Sequence, residues 1–279
     1  MATAKKEIQK VEEKETALAA MGVDFAADAG QGMEGAGAES YAIPFLNVLQ
    51  KGSPQVDEAS GVAIEGAKSG MLYETVTGRL IDGKTTGALL VPCAYKRVFI
   101  HWAGREAAGG FKGEIAADAI AQMRAAGKIV ELEGRLYAPN EDGSVNEKKS
   151  DRFSDTRNHY CMLVDETTGA YTPVLLSLTS TQVKKSKMLM SLLAGVKLKG
   201  AQGFYTPPTF ANLVRVTTVP ESNDKGTWHG VRFELAGQVG TKDLYEAAKA
   251  FHASVVKGAV TVGSYDDAAG AEPPAAAGF

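Results

Sequence analysis

The sequence predicts an α+β protein with a β-rich body, about three helices and disordered termini. Runs of β-branched and aromatic residues bounded by turn residues dominate residues 70–236. Helical periodicity is confined to a few segments that do not alternate regularly with strands, which argues against a βαβ fold. Both ends of the chain are rich in Gly, Ala and acidic residues, a composition that does not support a packed core.

Composition shifts divide the chain into three predicted parts. Residues 1–40 form a charged helix (3–20) followed by a flexible linker, residues 41–262 form a single globular domain that binds nucleic acid, and residues 263–279 form a disordered acidic tail that ends in Phe279.

Within the globular part, turn and cap residues set the element boundaries. Pro44 predicts the start of a short helix, and Thr77-Gly78 predicts a hairpin turn. Ala88 to Trp102 is the longest strand-like segment, and Pro92 predicts a bulge or bend in it. Three further helices are predicted: one over 114–126, one capped by Ser180 or Thr181 that runs to 193, and one over 242–256 capped by Thr241. The remaining predicted strands are 129–137, a hairpin of 159–164 with 171–178, 210–219 and 231–236. Antiparallel strands of this length suit an OB-like barrel, and a sandwich fits nearly as well.

Several classes of protein find no support in the sequence. It has no apolar run near the roughly 18–20 residues of a membrane span and no signal-peptide core, so we expect a cytoplasmic protein without a membrane partner. P-loop, dinucleotide and nucleophile-elbow motifs are absent, so we expect neither an enzyme nor a cofactor. Cys93 and Cys161 predict buried free thiols, and with His101 and His159 they lack the tight spacing of a structural zinc site.

The most informative stretch runs from Tyr171 to Thr218, because it contains six basic residues and no Asp or Glu in a chain of net charge -3. Solvated surfaces usually mix the two signs of charge, so an acid-free basic stretch indicates a polyanionic ligand. The predicted phosphate-binding residues are Lys184, Lys185, Lys187, Lys197, Lys199 and Arg215.

A second candidate is the strand segment that contains Tyr95, Arg97, Phe99 and Trp102. Alternation along a strand puts Tyr95, Arg97 and Phe99 on one face, and this mixture of rings and a cation is what stacks unpaired bases and neutralises their backbone. Trp102, or Trp228 in a later loop, would supply a further stacking platform. The alternative is that aromatic residues here are simply good strand formers.

Several phrases resemble a group of tailed-bacteriophage proteins, some of which are labelled single-stranded DNA-binding proteins. The likeness covers about residues 41–258, and the phrases lie at Ile43 to Pro54, Gly70 to Gly78, Thr181 to Lys187 and Ser222 to Trp228. The resemblance implies sequence-independent binding of single-stranded DNA in phage DNA replication or recombination.

The end of the chain is similar to the acidic tails of single-stranded DNA-binding proteins, which dock onto replication and repair partners through a terminal hydrophobic residue. Asp266, Asp267 and Phe279 are the corresponding residues here. Residues 1–40 carry a charge balance of -4, residues 263–279 one of -3 and residues 41–262 one of +4. We expect the tail to compete with DNA for the basic body, although acidic tails also serve solubility. The rival hypothesis for the whole chain is a phage protein–protein interaction factor, either a virion component or an inhibitor of a host enzyme.

Overall fold

The computed structural model describes residues 22, 24–25, 27–29, 31–36, 40–106, 110–224 and 226–262. The chain divides into two units, Met1–Tyr41 and Ala42–Phe279. Most of the described residues of the first unit lie in exposed turns. The predicted helix over 3–20 and the predicted tail over 263–279 lie outside the described residues.

The second unit contains, among its described residues, three α-helices and fifteen strands, several of them only two or three residues long. The helices are α1 (Ala117–Ala125), α2 (Val183–Gly195) and α3 (Lys242–Val256). The strands are β1 (Ala42–Ile43), β2 (Leu46–Val48), β3 (Leu72–Glu74), β4 (Leu80–Ile81), β5 (Ala88–Trp102), β6 (Phe111–Ala116), β7 (Val130–Leu132), β8 (Arg135–Tyr137), β9 (Arg152–Val164), β10 (Tyr171–Thr179), β11 (Leu198–Gly200), β12 (Gly203–Tyr205), β13 (Asn212–Asn223), β14 (Gly226–Gln238) and β15 (Thr261–Val262).

Long antiparallel strands form the central sheet, in the order β14-β13-β5-β9-β8-β7, with β10 also paired to β9 and β6 to β5. The register of β5 against β9 shifts between Pro92 and Ala94, so the predicted interruption at Pro92 is a bulge. Gly87 lies where β13 meets the start of β5. Its φ is +70°, and a Cβ there would lie 2.5 Å from the Val216 carbonyl oxygen, so only glycine fits.

The first face of this sheet is buried by α2 and by the three-stranded sheet β2-β3-β4. The side chains at Leu163, Leu176 and Val216 pack there against Leu189 of α2 and Leu72 of β3. Farther along the same face, α1 covers a separate cluster in which Ile120 packs with Phe99 and Phe153.

The second face is buried by α3. Its apolar stripe, predicted from the sequence as Leu244, Ala248, Phe251 and Val255, is confirmed and packs against β5 and β9. Thr241 caps the helix as predicted, because its side chain accepts a hydrogen bond from the backbone N–H of Leu244. The sheet is therefore covered on both faces.

The predicted α+β, β-rich class and both predicted hairpins are confirmed. The OB-like barrel is wrong, because the described strands form an open sheet whose outermost strands are β14 and β7. The outer edge of β14 is occupied by glutamine side chains: Gln50 exchanges two hydrogen bonds with the backbone of His229, and Gln182 accepts one from the N–H of Val231. These amides satisfy backbone groups that barrel closure would otherwise pair.

The helix predicted at Pro44 is also wrong. This segment forms β1 and β2, with Phe45 and Leu46 buried in the cores on opposite sides of the central sheet. Alternate burial on two sides requires the period of a strand, so packing on both cores outweighs the helix-start signal of the proline. No helix in the described part of the chain is both long enough and apolar enough to cross a bilayer.

Candidate nucleic-acid interface

The six basic residues of the acid-free stretch separate into two groups. Lys185 pairs with Glu221 at 2.6 Å. Arg215 makes two hydrogen bonds of 2.7 and 2.8 Å to the carboxylate of Glu166 and a third to the backbone carbonyl of Thr86. Both acids come from just outside the stretch, so folding neutralises two charges that the sequence leaves unpaired.

The other four basic side chains, Lys184, Lys187, Lys197 and Lys199, are exposed. Ser186, Leu189 and Leu193 form the buried face of α2, which leaves the first two lysines on its solvent side. Lys197 follows the helix directly and donates to the hydroxyl of Thr206. The four ammonium groups thus lie on one continuous segment of chain.

A short hairpin, β11–β12, follows α2 and forms a two-stranded sheet of its own. Phe204 is 76% exposed and Tyr205 50% exposed. Lys199 is directly opposite Phe204 and Leu198 is opposite Tyr205, so a cation and an exposed ring share one face of the hairpin. Rings and lysines in this arrangement form the surface that unpaired bases and their phosphates require.

Phe204 and Tyr205 add aromatic groups close to the basic residues in the sequence, but they are not among the predicted site residues. The available signal was an aromatic pair inside the acid-free stretch, next to two lysines. The sequence does not reveal that this segment forms a separate two-stranded sheet in the described structure, with both rings exposed.

The structure places the rings of the predicted base-stacking strand largely in the interior. Phe99 is 5% exposed and lies in the cluster under α1, so its ring presents no face to a base. Trp102 is half-buried, packs at the edge of the core under α3 and makes an edge contact with Phe111 at 6.1 Å between ring centroids. The reason is the position of β5: at Phe99 and Trp102 it pairs with β9 on one edge and β6 on the other, and helices cover both faces, so these rings meet protein.

The polar members of that strand are engaged with neighbouring side chains. Arg97 makes two hydrogen bonds to Asp155, of 3.0 and 2.8 Å, and this hydrogen bonding raises the pKa of Arg97. The hydroxyl of Tyr95 accepts a hydrogen bond from Arg157 at 2.9 Å. These residues form a charged cluster on the sheet and not a stacking surface.

Trp228 is held by the same carboxylate as Lys185. Its indole N–H donates to Glu221 at 2.9 Å, and Gln182 donates to the same oxygen. Burial raises the pKa of Glu221, but the ion pair with Lys185 and the two hydrogen bonds outweigh it and the pKa is lowered. Trp228 is half-buried in this cluster and is a poorer platform for a base than Phe204.

The cysteines and histidines of the described residues are not grouped into a metal site. Cys93 and Cys161 are buried free thiols, as predicted, and burial raises the pKa of Cys93 to about 12. His159 lies 2.8 Å from the hydroxyl of Ser186, and burial lowers its pKa to about 4. Among the described residues, no group of three or more His, Cys, Asp or Glu side chains is placed to hold a metal ion. The predicted docking residues Asp266, Asp267 and Phe279 lie outside the described part of the chain.

Fold and surface together define a β-rich α+β protein with an exposed hairpin that combines lysines and aromatic rings. The chain belongs to the Pam3 phage gp34-like protein family, whose sequence model matches residues 13–261. This places it in a family of phage proteins, in agreement with the phage resemblance noted in the sequence. No curated protein and no solved structure matches the chain.

Proposed function

We propose that this protein binds single-stranded nucleic acid, DNA in the first instance, without reading its sequence, and that it does so during phage DNA replication or recombination. The observation that carries the proposal is the exposed Phe204, which shares a face of the β11–β12 hairpin with Lys199 and follows the lysines of α2.

The chemistry of this surface fits an unpaired strand. Lysine ammonium groups neutralise phosphates without a fixed register, and exposed rings stack on bases of any identity. A duplex hides the faces of its bases, so the rings add affinity only for a single strand. Lys184, Lys187, Lys197 and Lys199 would contact the backbone, and Phe204 with Tyr205 would contact the bases.

A fluorescence-anisotropy titration tests the proposal, using labelled oligo-dT and a duplex of the same length at low and moderate salt. We expect single-strand binding that weakens steeply with salt, as release of counterions requires. Phe204→Ala should weaken binding by about 1–3 kcal/mol, the contribution of one stacked base. Phe25→Ala, which also removes an exposed phenyl ring (61% exposed), is the control and should bind as the wild type does.

Three results would contradict the proposal in different ways. No binding at low salt would remove nucleic acid as the ligand. Equal affinity for the duplex would indicate a general polyanion binder. An unchanged affinity of Phe204→Ala would place the contact surface away from the hairpin.

We further propose that the acidic tail reaches replication or recombination proteins through Asp266, Asp267 and Phe279, in the cytoplasm of the infected cell. This part of the proposal rests on the sequence alone.

One observation favours the alternative, a protein–protein interaction factor. Met188 on α2 is 59% exposed and Phe204 is 76% exposed, and methionine and aromatic residues are enriched at protein interfaces. Binding to a protein target that is insensitive to salt, together with no affinity for oligo-dT, would favour this function.

A further inference from the structure

Two arginines lie directly opposite each other on the central strands of the sheet. Arg97 of β5 and Arg157 of β9 are register partners, and like charges placed this way destabilise a sheet unless a counter-charge is present. Their side chains point to the first face, the one that α1 and α2 cover.

The arginine pair lies between the two helices that cover this face. Two residues along β5 towards one end, Phe99 is buried under α1. Two residues along β9 towards the other end, His159 contacts Ser186 of α2. Each step of two residues is about 6–7 Å, so the register places the two arginines between these two contacts along the sheet, with the Arg97 guanidinium 5.2 Å from the centroid of the Phe99 ring. The Arg97 side chain is 44% exposed and that of Arg157 13% exposed.

The charge of this cluster is incompletely balanced. Asp155 accepts hydrogen bonds from both guanidinium groups, with 2.8 Å to Arg97 and 2.9 Å to Arg157 at the same oxygen. Among the described residues, one carboxylate is therefore shared by two cations, which leaves one positive charge. His159, the next residue of β9 on this face, adds none near neutral pH, because burial lowers its pKa to about 4.

The cluster also holds unused hydrogen-bond donors. Arg157 uses one terminal nitrogen for Asp155 and the other for the Tyr95 hydroxyl, while its buried Nε has no hydrogen-bond partner in the part of the chain that the structure describes. Tyr95 accepts from Arg157, so its own hydroxyl proton remains available to donate. Each guanidinium has five N–H groups in a fixed fork that matches phosphate oxygens.

We infer that Arg97, Arg157 and Tyr95 form a binding site for a phosphate group. Asp155 holds the two forks in place, and a tetrahedral anion supplies both the missing charge and the acceptors for the unused N–H groups. The phosphate belongs either to a free phosphorylated small molecule or to the backbone of a nucleic-acid strand. The site does not depend on the proposed function, because it is on the sheet and shares no residue with the β11–β12 hairpin.

Thermal unfolding with inorganic phosphate as the probe tests the site without any nucleic acid. Wild-type protein and Arg97→Gln are compared in phosphate and in chloride at equal ionic strength and pH. Phosphate at about ten times its Kd should raise the wild-type Tm by about 2–4 °C more than that of Arg97→Gln. General stabilisation by phosphate as a salt acts on both proteins and cancels in this difference.

Two further variants control for the loss of a surface charge and for poor folding of Arg97→Gln. Arg124→Gln removes an equally exposed arginine that is paired with Glu131 on the surface, and it should retain the full phosphate effect. Arg97→Lys retains the charge but loses the fork, and its phosphate effect should be smaller than that of the wild type even if Arg97→Gln folds poorly. A phosphate effect that is the same in the wild type, Arg97→Gln and Arg97→Lys overturns the inference.

The source of the phosphate is distinguished by two additional probes, thymidine monophosphate and oligo-dT. If the monophosphate raises Tm as inorganic phosphate does and Arg97→Gln leaves oligo-dT affinity unchanged, the ligand is a free phosphorylated molecule. If Arg97→Gln weakens oligo-dT binding severalfold, the ligand is a strand phosphate. If phosphate raises the Tm but the protein does not bind oligo-dT, the phosphate site is supported and the proposed function is contradicted. The two proposals can therefore fail separately.

Discussion

Strand β5 and the β11–β12 hairpin carry the same kind of sequence and have opposite environments. Both combine aromatic and basic residues within a short stretch, Tyr95 to Trp102 in the first and Lys197 to Tyr205 in the second. In β5 the ring of Phe99 is buried and Arg97 is ion-paired, whereas in the hairpin Phe204 is 76% exposed.

The difference comes from what surrounds each strand. β5 has strands on both edges and helices over both faces, while β11 and β12, among the described strands, pair only with each other. A mixture of rings and cations therefore indicates a surface for stacking bases only where the rings are left uncovered.

The largest expected effect tests burial in β5. Phe99→Ala should lower the free energy of unfolding by about 3–5 kcal/mol, because it leaves a cavity under α1. Phe204→Ala should change that free energy by less than about 0.5 kcal/mol, because the ring contacts mainly solvent. Urea denaturation measures both, and equal small losses would contradict the difference in environment between the two segments.

The second effect concerns the carboxylate that neutralises Lys185. Glu221→Gln should cost about 1.5–3 kcal/mol at pH 7, because the ammonium group and the indole N–H lose a charged acceptor. The pKa of Glu221 is lowered in the folded protein, so its ionised form contributes stability above the unfolded pKa of about 4.3, and this contribution is lost as the pH falls through the folded pKa.

The gap in stability between the wild type and Glu221→Gln should therefore close in acid, and denaturation curves measured between pH 7 and pH 3 would show this. Glu234→Gln removes an exposed partner of Arg232 and should cost less than about 1 kcal/mol. A gap that is as large in acid as at pH 7 would mean that Glu221 acts through packing and not through charge.

The third effect sharpens the contrast between paired and exposed cations. The double variant Lys197→Gln with Lys199→Gln should reduce the salt slope of oligo-dT binding by about 1.4 and the affinity at 0.1 M salt by about 25-fold, if each lysine neutralises one phosphate. Lys242→Gln with Lys249→Gln removes two exposed charges of α3, which covers the other face of the sheet. Anisotropy titrations should show little change of affinity in this control. Equal losses of affinity in the two double variants would indicate that binding depends on the total charge of the protein and not on the position of these lysines.

The smallest effect concerns the tail. Removal of residues 263–279, which carry a charge of -3, should tighten oligo-dT binding by about two- to fivefold at low salt, because a competing anion is removed. The matched control keeps the length and replaces Asp266 and Asp267 by Asn and Glu272 by Gln, and it should bind as tightly as the truncated protein. Unchanged or weaker binding on truncation would contradict competition by the tail.

Signals from residues that are close together in the sequence predicted much of the fold. The Thr77-Gly78 turn, the bulge at Pro92, the cap at Thr241 and the buried stripe of α3 depend on residues close together in sequence, and all are present. The segment at Pro44 was predicted wrongly because its conformation is set by two cores built from distant strands. The hairpin with Phe204 was missed because strands of three residues give little periodicity.

The candidate site divides in the same way. The sequence alone determined that residues 171–218 concentrate positive charge and contain aromatic residues beside lysines, because composition survives any folding. Only the tertiary structure decided which charges remain available. Glu221 and Glu166 meet Lys185 and Arg215, Asp155 meets Arg97 across 58 residues of sequence, and Phe204 remains in solvent. Ion pairs and burial depend on distances between side chains that are far apart in the chain, and these distances are fixed only when the sheet and its helices assemble.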